Sequence, residues 1–199
     1  MRIGVLALQG AFREHAQVLK RIGAEPVEVR LPKDLQGLDG IIIPGGESTT
    51  IRKLMVEYGL LEPLADMVAS GVPTLGTCAG LIMLAHRVDG EDLPGLNGLD
   101  IDVKRNAFGR QVDSFEADLP LPDLGADPFH AVFIRAPVVV SIDADVEVLG
   151  RLPDGRVVAV RQGNVVGIAF HPELTSDDRL HQYFLRIVEG ARSAVRAGG

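Results

Sequence analysis

The chain has 199 residues, 46% of them hydrophobic and 24% charged, with a net charge of −7. That length can bury one sizeable core, the balance is that of a globular domain, and the acidic sign argues against nonspecific grip on nucleic acid or anionic membranes. A single cysteine, Cys78, excludes an intramolecular disulfide and a cysteine metal cluster. The opening "MRIGVLALQG" holds an apolar run too short to span a membrane, and no signal-peptide cleavage pattern follows it. A cytoplasmic protein is expected.

In chain order, "IGVLAL" (3–8) is a short apolar run, and residues 27–31 alternate. "GIIIPGG" (40–46) and "GVPTLGT" (71–77) are apolar runs bounded by glycine and proline, which read as buried parallel strands. Helical patterns lie between them. Phe12, His15, Ala16, Leu19 and Ile22 share one face of the first, and Ile51, Leu54, Met55 and Tyr58 share one face of the second. After about residue 90 the pattern changes to strands: "GLNGLDIDVKRN", "VDSFEADL", "FHAVFIRAP", "VEVLGRL", "RVVAVRQ" and "NVVGIAFHPE". "LPDGR" (152–156) carries the Asp-Gly signal of a hairpin turn. "TSDDRLHQYFLRIVEGARSAV" reads as a closing helix with a Ser or Thr cap. The expected fold is α/β, an open, mainly parallel, flavodoxin-like sheet with helices on both faces and an antiparallel strand insert. One domain covers 1–199, with 190–199 expected to fray.

Cys78 sits in "GTCAG" (76–80), at the bend from an apolar strand into a helix. Small residues two before and two after the nucleophile are what a tight strand-to-helix elbow requires. Unpaired N–H groups at the helix start favour a thiolate, and the N–H of Ala79 would point toward an oxyanion. A buried structural thiol fits the same residues, so the elbow alone leaves two readings. "AFHPE" adds a base and its orienter: Pro172 keeps His171 extended, and residues two apart in an extended chain share a side, which brings Glu173 to His171. His15 and His181 lie in helical patterns, His86 ends the helix after the elbow, and His130 lies in a strand. All four read as structural. "PGGEST" (44–49) could supply a second arm of an oxyanion hole, or be a turn into a helix capped by Ser48. The histidines and carboxylates do not cluster at ligand spacing, so no metal site is expected.

Taken together, "PGGES", "GTCAG" and "HPE" resemble the class I, or triad, glutamine amidotransferases. "LALQGAFREH" (6–15), "PGGESTTIRKL" (44–54), "GTCAGLIMLA" (76–85), "RNAFGRQVDSFE" (105–116), "FIRAP" (133–137) and "AFHPELT" (169–175) narrow the resemblance to the glutaminase subunits of pyridoxal 5'-phosphate synthases. The resemblance implies hydrolysis of L-glutamine, with Cys78 as nucleophile, His171 as general acid and base, and Glu173 as its orienter. Gly46, Glu47 and Ser48 would line the glutamine pocket, with Gly46 and Ala79 donating to the oxyanion. Arg105, Ile134 and Arg135 would also contact glutamine. It implies no cofactor, and a (β/α)8-barrel synthase subunit as partner, with "LQGAFREH", "PGGEST" and "RNAFGRQ" as the candidate docking side. Competing readings are the glutaminase of another pathway such as histidine biosynthesis, a non-catalytic regulatory module on the same fold, and a cysteine hydrolase sharing the elbow.

Overall fold

In the computed structural model, which describes residues 1–105 and 114–198, the first apolar run forms strand β1 (Arg2–Leu6). Helix α1 (Phe12–Arg21) carries the chain back to a parallel neighbour, β2 (Glu25–Val29), and β3 (Gly40–Ile43) pairs on the other side of β1. Helices α2 (Ser48–Glu57) and α3 (Leu61–Ala69) lead into β4 (Thr74–Thr77), and α4 (Ala79–Leu84) begins immediately after Cys78. All residues of β3 and β4 are buried, the reason that these strands read as unbroken apolar runs and not as alternations.

The second half adds β5 (Ala85–Val88), β6 (Glu91–Asp92), β7 (Leu99–Lys104), β8 (Ser114–Leu119), β9 (Phe129–Ile134), β10 (Val138–Ile142), β11 (Glu147–Arg151), β12 (Val157–Gln162), β13 (Val165–Ile168) and α5 (Arg179–Gly198). Strand β13 inserts parallel to β4, pairing Gly167 with Gly76 and Ile168 with Thr77. The sheet order is β2-β1-β3-β4-β13-β12-β10-β7-β5-β6, with β11 also on β12, and β8 with β9 forms a separate antiparallel pair. The β11–β12 hairpin turns at residues 152–156, where Leu152 N–H donates to the Arg156 carbonyl. Helices cover both faces. Ile43 and Gly76 are register partners and share a face, on which Leu84 of α4 fills the space above Gly76. Gly40 has the opposite parity along β3, and Phe184 and Val188 of α5 fill the space above it. The expected α/β fold with an antiparallel insert is the one observed.

Local details differ from the sequence reading. Helix α4 ends at Leu84, and His86 lies in β5, because Ala85 is already extended and the segment pairs with β7. Helix α2 is capped by the Glu47 carboxylate, which accepts from the N–H groups of Thr49 and Thr50, while Ser48 is the buried first residue of the helix. Ahead of α5 the Thr175 hydroxyl accepts from Asp177 N–H, and Asp177 in turn accepts from Arg179 N–H. Strands β5, β6 and β10 lie beyond those the pattern marks. Residues 190–198 of the expected tail are helical.

The elbow is the tightest point of this frame. A Cβ on Gly80 would lie 2.0 Å from the carbonyl oxygen of Ile43, and one on Gly76 would lie 2.7 Å from the Gly80 backbone. The clash at Gly80 is with backbone of a buried strand, which cannot rotate away. Gly80→Ala is therefore expected to destabilise the fold by about 1–3 kcal/mol or more, read as a lower urea midpoint. An unchanged midpoint would contradict this packing.

Candidate active site

Cys78 follows the last residue of β4 and adopts φ 51° and ψ −103°, a conformation side chains rarely take. Its N–H donates to the Ile168 carbonyl, so the elbow is bonded to β13 as well. This bend lies at the carboxyl end of the parallel strands, where open α/β sheets place their ligands. The Sγ–H donates to the carbonyl of Ile134 at 3.7 Å, and Arg135, at φ 45°, turns the chain just beyond.

His171 follows β13, the neighbour of β4, which brings it beside Cys78. Its Nδ1 is 2.7 Å from Oε1 of Glu173, and both side chains are buried. A carboxylate can only accept, so Nδ1 carries the proton and Nε2 is the nitrogen left for the thiol. The link is made by a turn and not by an extended chain: residues Pro172–Leu174 form one 3-10 turn, with His171 just before it at φ −111° and ψ 87°. Pro172 does keep His171 out of the helical region, but the turn folds Glu173 back under the ring. Burial pulls the His171 pKa down. Its hydrogen bonds to Cys78 and Glu173, and their charges, outweigh burial and raise it to about 10.

A cleft of about 450 Å³ opens over Cys78. Gly46, Glu47, Ser48, Ala79, Arg105, Ile134, Arg135 and His171 all line it, so the sequence-expected residues meet in one place. Glu173 lies behind His171, away from the cleft wall. Glu47 reaches the cleft, but its carboxylate is spent on the α2 cap. The Thr50 hydroxyl, with the N–H groups of Thr49 and Thr50, holds it at about 2 against burial. It is a fixed anion at neutral pH and no proton donor.

Three neighbours escaped the sequence reading. Asp89, at φ 55°, accepts from both Nε and the backbone N–H of Arg105 and so aims that guanidinium along the cleft. Its only sequence signal was the Asp-Gly of a turn. Gly45 must lack a side chain, because a Cβ there would lie 2.4 Å from Cε1 of His171. The doubled glycine of "PGG" is its signal in the sequence. Gln9 accepts from Glu47 N–H at 2.8 Å, and Ala11 N–H donates to the Gly45 carbonyl, so two of the three candidate docking stretches are bonded together at the rim. The third, "RNAFGRQ", lies outside the described residues except for Arg105. Among the described residues no group of three or more His, Cys, Asp or Glu side chains is arranged to hold a metal ion, and no helix is long and apolar enough to cross a membrane.

A cysteine elbow with a His-Glu pair beside a cleft at the sheet's carboxyl edge defines a triad amidotransferase-type site. The SNO glutamine amidotransferase family model matches residues 5–190, and the chain belongs to that family. It is 56% identical over 188 residues, 94% of this chain and 100% of the relative, to the pyridoxal 5'-phosphate synthase subunit PdxT of Moorella thermoacetica. It is 54% identical over 198 residues to the subunit of the same name from Pelotomaculum thermopropionicum, covering 100% of this chain and 97% of the relative. A crystal structure of a glutamine amidotransferase superposes with a TM-score of 0.88 at 53% identity, covering 94% of this chain and 98% of that one. The structure of PurLQS from Thermotoga maritima, at 20% identity and a TM-score of 0.70 over 93% of this chain and 97% of that one, shares the fold.

The site's histidines predict a two-sided pH dependence of stability. His171 is raised to about 10, so its contribution is full below its ordinary 6.5 and is lost as pH rises through 10. His181, fully buried behind the site, is lowered to about 4 by burial. Its contribution is full above 6.5 and is lost as pH falls toward 4. Urea unfolding should give greatest stability near pH 6.5 in the part these groups control. The alkaline decline should flatten in His171→Gln and the acid decline in His181→Gln. Wild-type slopes in both variants would contradict the assignment.

Proposed function

We propose that this chain is the glutaminase subunit of a pyridoxal 5'-phosphate synthase, hydrolysing L-glutamine to L-glutamate and ammonia. The observation that carries the reading is the thiol of Cys78, presented at φ 51° into a cleft beside an imidazole whose Nδ1 is held 2.7 Å from Glu173.

The reaction then runs in two halves. His171, whose pKa is raised to about 10, holds on Nε2 the proton it shares with Cys78 as sulfur bonds to the side-chain amide carbon of glutamine, and the carbonyl electrons move to oxygen. The N–H groups of Ala79 and Gly46 receive that oxyanion. On collapse the C–N bond breaks, and the proton on His171 goes to the nitrogen, which leaves as ammonia. Water attacks the resulting γ-glutamyl thioester while His171 takes one of its protons. The C–S bond breaks, the proton returns to sulfur, and glutamate departs. Arg105, braced by Asp89, is placed to hold the glutamine α-carboxylate. Glu47, Ser48, Ile134 and Arg135 shape the remaining wall.

Ammonia released into water would be protonated and lost by diffusion, so the product must pass to an acceptor through a shielded route. The resemblance names that acceptor as a (β/α)8-barrel synthase subunit, docking over the joined Gln9 and "PGGEST" rim. Neither nucleic acid nor membrane enters this scheme. A nucleophile that must stay a free thiol suits a reducing compartment, which supports a cytoplasmic location.

Glutamate release should be slow for the chain alone and strongly stimulated by the synthase subunit. Cys78→Ala should abolish turnover while glutamine still binds. Wild-type turnover in Cys78→Ala would refute the nucleophile, and activity indifferent to that partner would redirect the ammonia to another acceptor enzyme. Arg105→Ala should raise KM about tenfold with a smaller change in kcat, as removal of ground-state binding does.

A further inference from the structure

Behind the catalytic pair lies a second pair of histidines that the mechanism above does not use. His15 of α1 and His181 of α5 are both fully buried, with His15 Nδ1 2.9 Å from His181 Nε2. His15 Nε2 is 3.2 Å from the Thr77 hydroxyl, the residue preceding Cys78, and 3.4 Å from Oε2 of Glu173. That Oε2 is the carboxylate oxygen His171 does not use. It is buried and makes no hydrogen bond of ordinary geometry, and neither does His181 Nδ1.

The donors can be assigned by elimination. Burial and the neighbouring histidines hold His15 well below the usual range, and burial lowers His181 too, so each ring is neutral and carries one N–H. In one arrangement His15 donates from Nδ1 to His181. Its Nε2 lone pair then faces the Glu173 carboxylate, and His181 must bury an N–H without an acceptor. In the other, His181 donates from Nε2 to His15 Nδ1, and His15 Nε2–H points at Thr77 and at Glu173 Oε2. Only an acceptor nitrogen, Nδ1 of His181, is then left unpaired. The second arrangement is preferred, because it meets a buried charge with a donor and leaves no buried donor unused.

We propose that His15 is a positioning residue for the triad: His181 fixes it as the Nε2–H tautomer, and that N–H holds the outer oxygen of Glu173 so that the inner oxygen stays on His171 Nδ1. The terminal torsion of a glutamate is broad and restrains the carboxylate poorly by itself. The need comes from His171, which with its raised pKa faces Glu173 as an imidazolium. The 3.4 Å contact shortens in the glutamine complex, as catalytic hydrogen bonds do on reaching the reacting complex. The proposal rests on Glu173 being the orienter of His171, and its test separates the two.

Two polar replacements distinguish the ring nitrogens. The amide of Gln reaches the place of Nε2, and that of Asn reaches only the place of Nδ1. With the synthase subunit present and glutamine saturating, His15→Asn should lower kcat about tenfold or more with KM little changed, and His15→Gln should recover most of that loss. In a Glu173→Ala background His15→Asn should add nothing further, because the two act as one unit. If Glu173→Ala itself keeps wild-type kcat, the triad reading fails. If Glu173→Ala is impaired but His15→Asn and His15→Gln are equal, or the losses multiply, the role of His15 alone fails. A measurement on the unaltered protein guards against a variant that does not fold. Nitrogen NMR of histidine-labelled protein near neutral pH should find His15 and His181 both protonated at Nε2, and a proton on His15 Nδ1 would overturn the assignment.

Discussion

The chain reverses at Cys78 with φ 51°, and the rest of the site is arranged around holding that reversal. A side chain at positive φ is a stored cost, kept only where surrounding structure over-determines it. Here β4 is paired on one side to β3 and on the other to β13. The Cys78 N–H is tied to Ile168, and α4 is pressed so close to β3 that Gly80 cannot carry a Cβ. The thiol therefore projects from a rigid point. It does not need to be ordered when substrate arrives, and ordering that need not happen during reaction is where such a site gains rate.

The same sheet order delivers the proposed base, His171. Because β13 lies next to β4, the residue that ends β13's extension is within reach of the residue that ends β4. One 3-10 turn then brings Glu173 under His171. On the far rim the "PGG" loop passes so near the imidazole that Gly45 must be bare, and it is bonded to the loop that holds Gln9 and Ala11. Two charged side chains at the cleft are held by partners. Glu47 is locked by the start of α2, and Arg105 by Asp89.

Much of this was legible in the residues. Strands β1, β3, β4 and β13 stand out because burial makes them continuous apolar runs, and "GTCAG" announces its bend because two small residues flank one cysteine. The expectation for Glu173 reached the right partner by the wrong path, since alternation in an extended chain and a one-turn helix both bring residues two apart together. Ser48 was the natural cap by composition, but Glu47 reaches both Thr49 and Thr50 N–H groups and takes the place. Asp89 and His15 were hidden for a different reason. Their roles depend on contacts made by distant segments, and a histidine on an apolar helical face carries no mark that distinguishes filler from support. His15 meets Thr77, His181 and Glu173 from three separate elements, which no local pattern encodes.

In the proposed reaction, sulfur of Cys78 carries the γ-glutamyl group between the two halves. The direct measurement is mass spectrometry of the complex with its synthase partner, quenched in acid during steady turnover of glutamine. A γ-glutamyl adduct is expected on the peptide containing Cys78, labile to hydroxylamine and missing in Cys78→Ala. Continued glutamate release with no adduct at any time, or with the adduct on another residue, would contradict it.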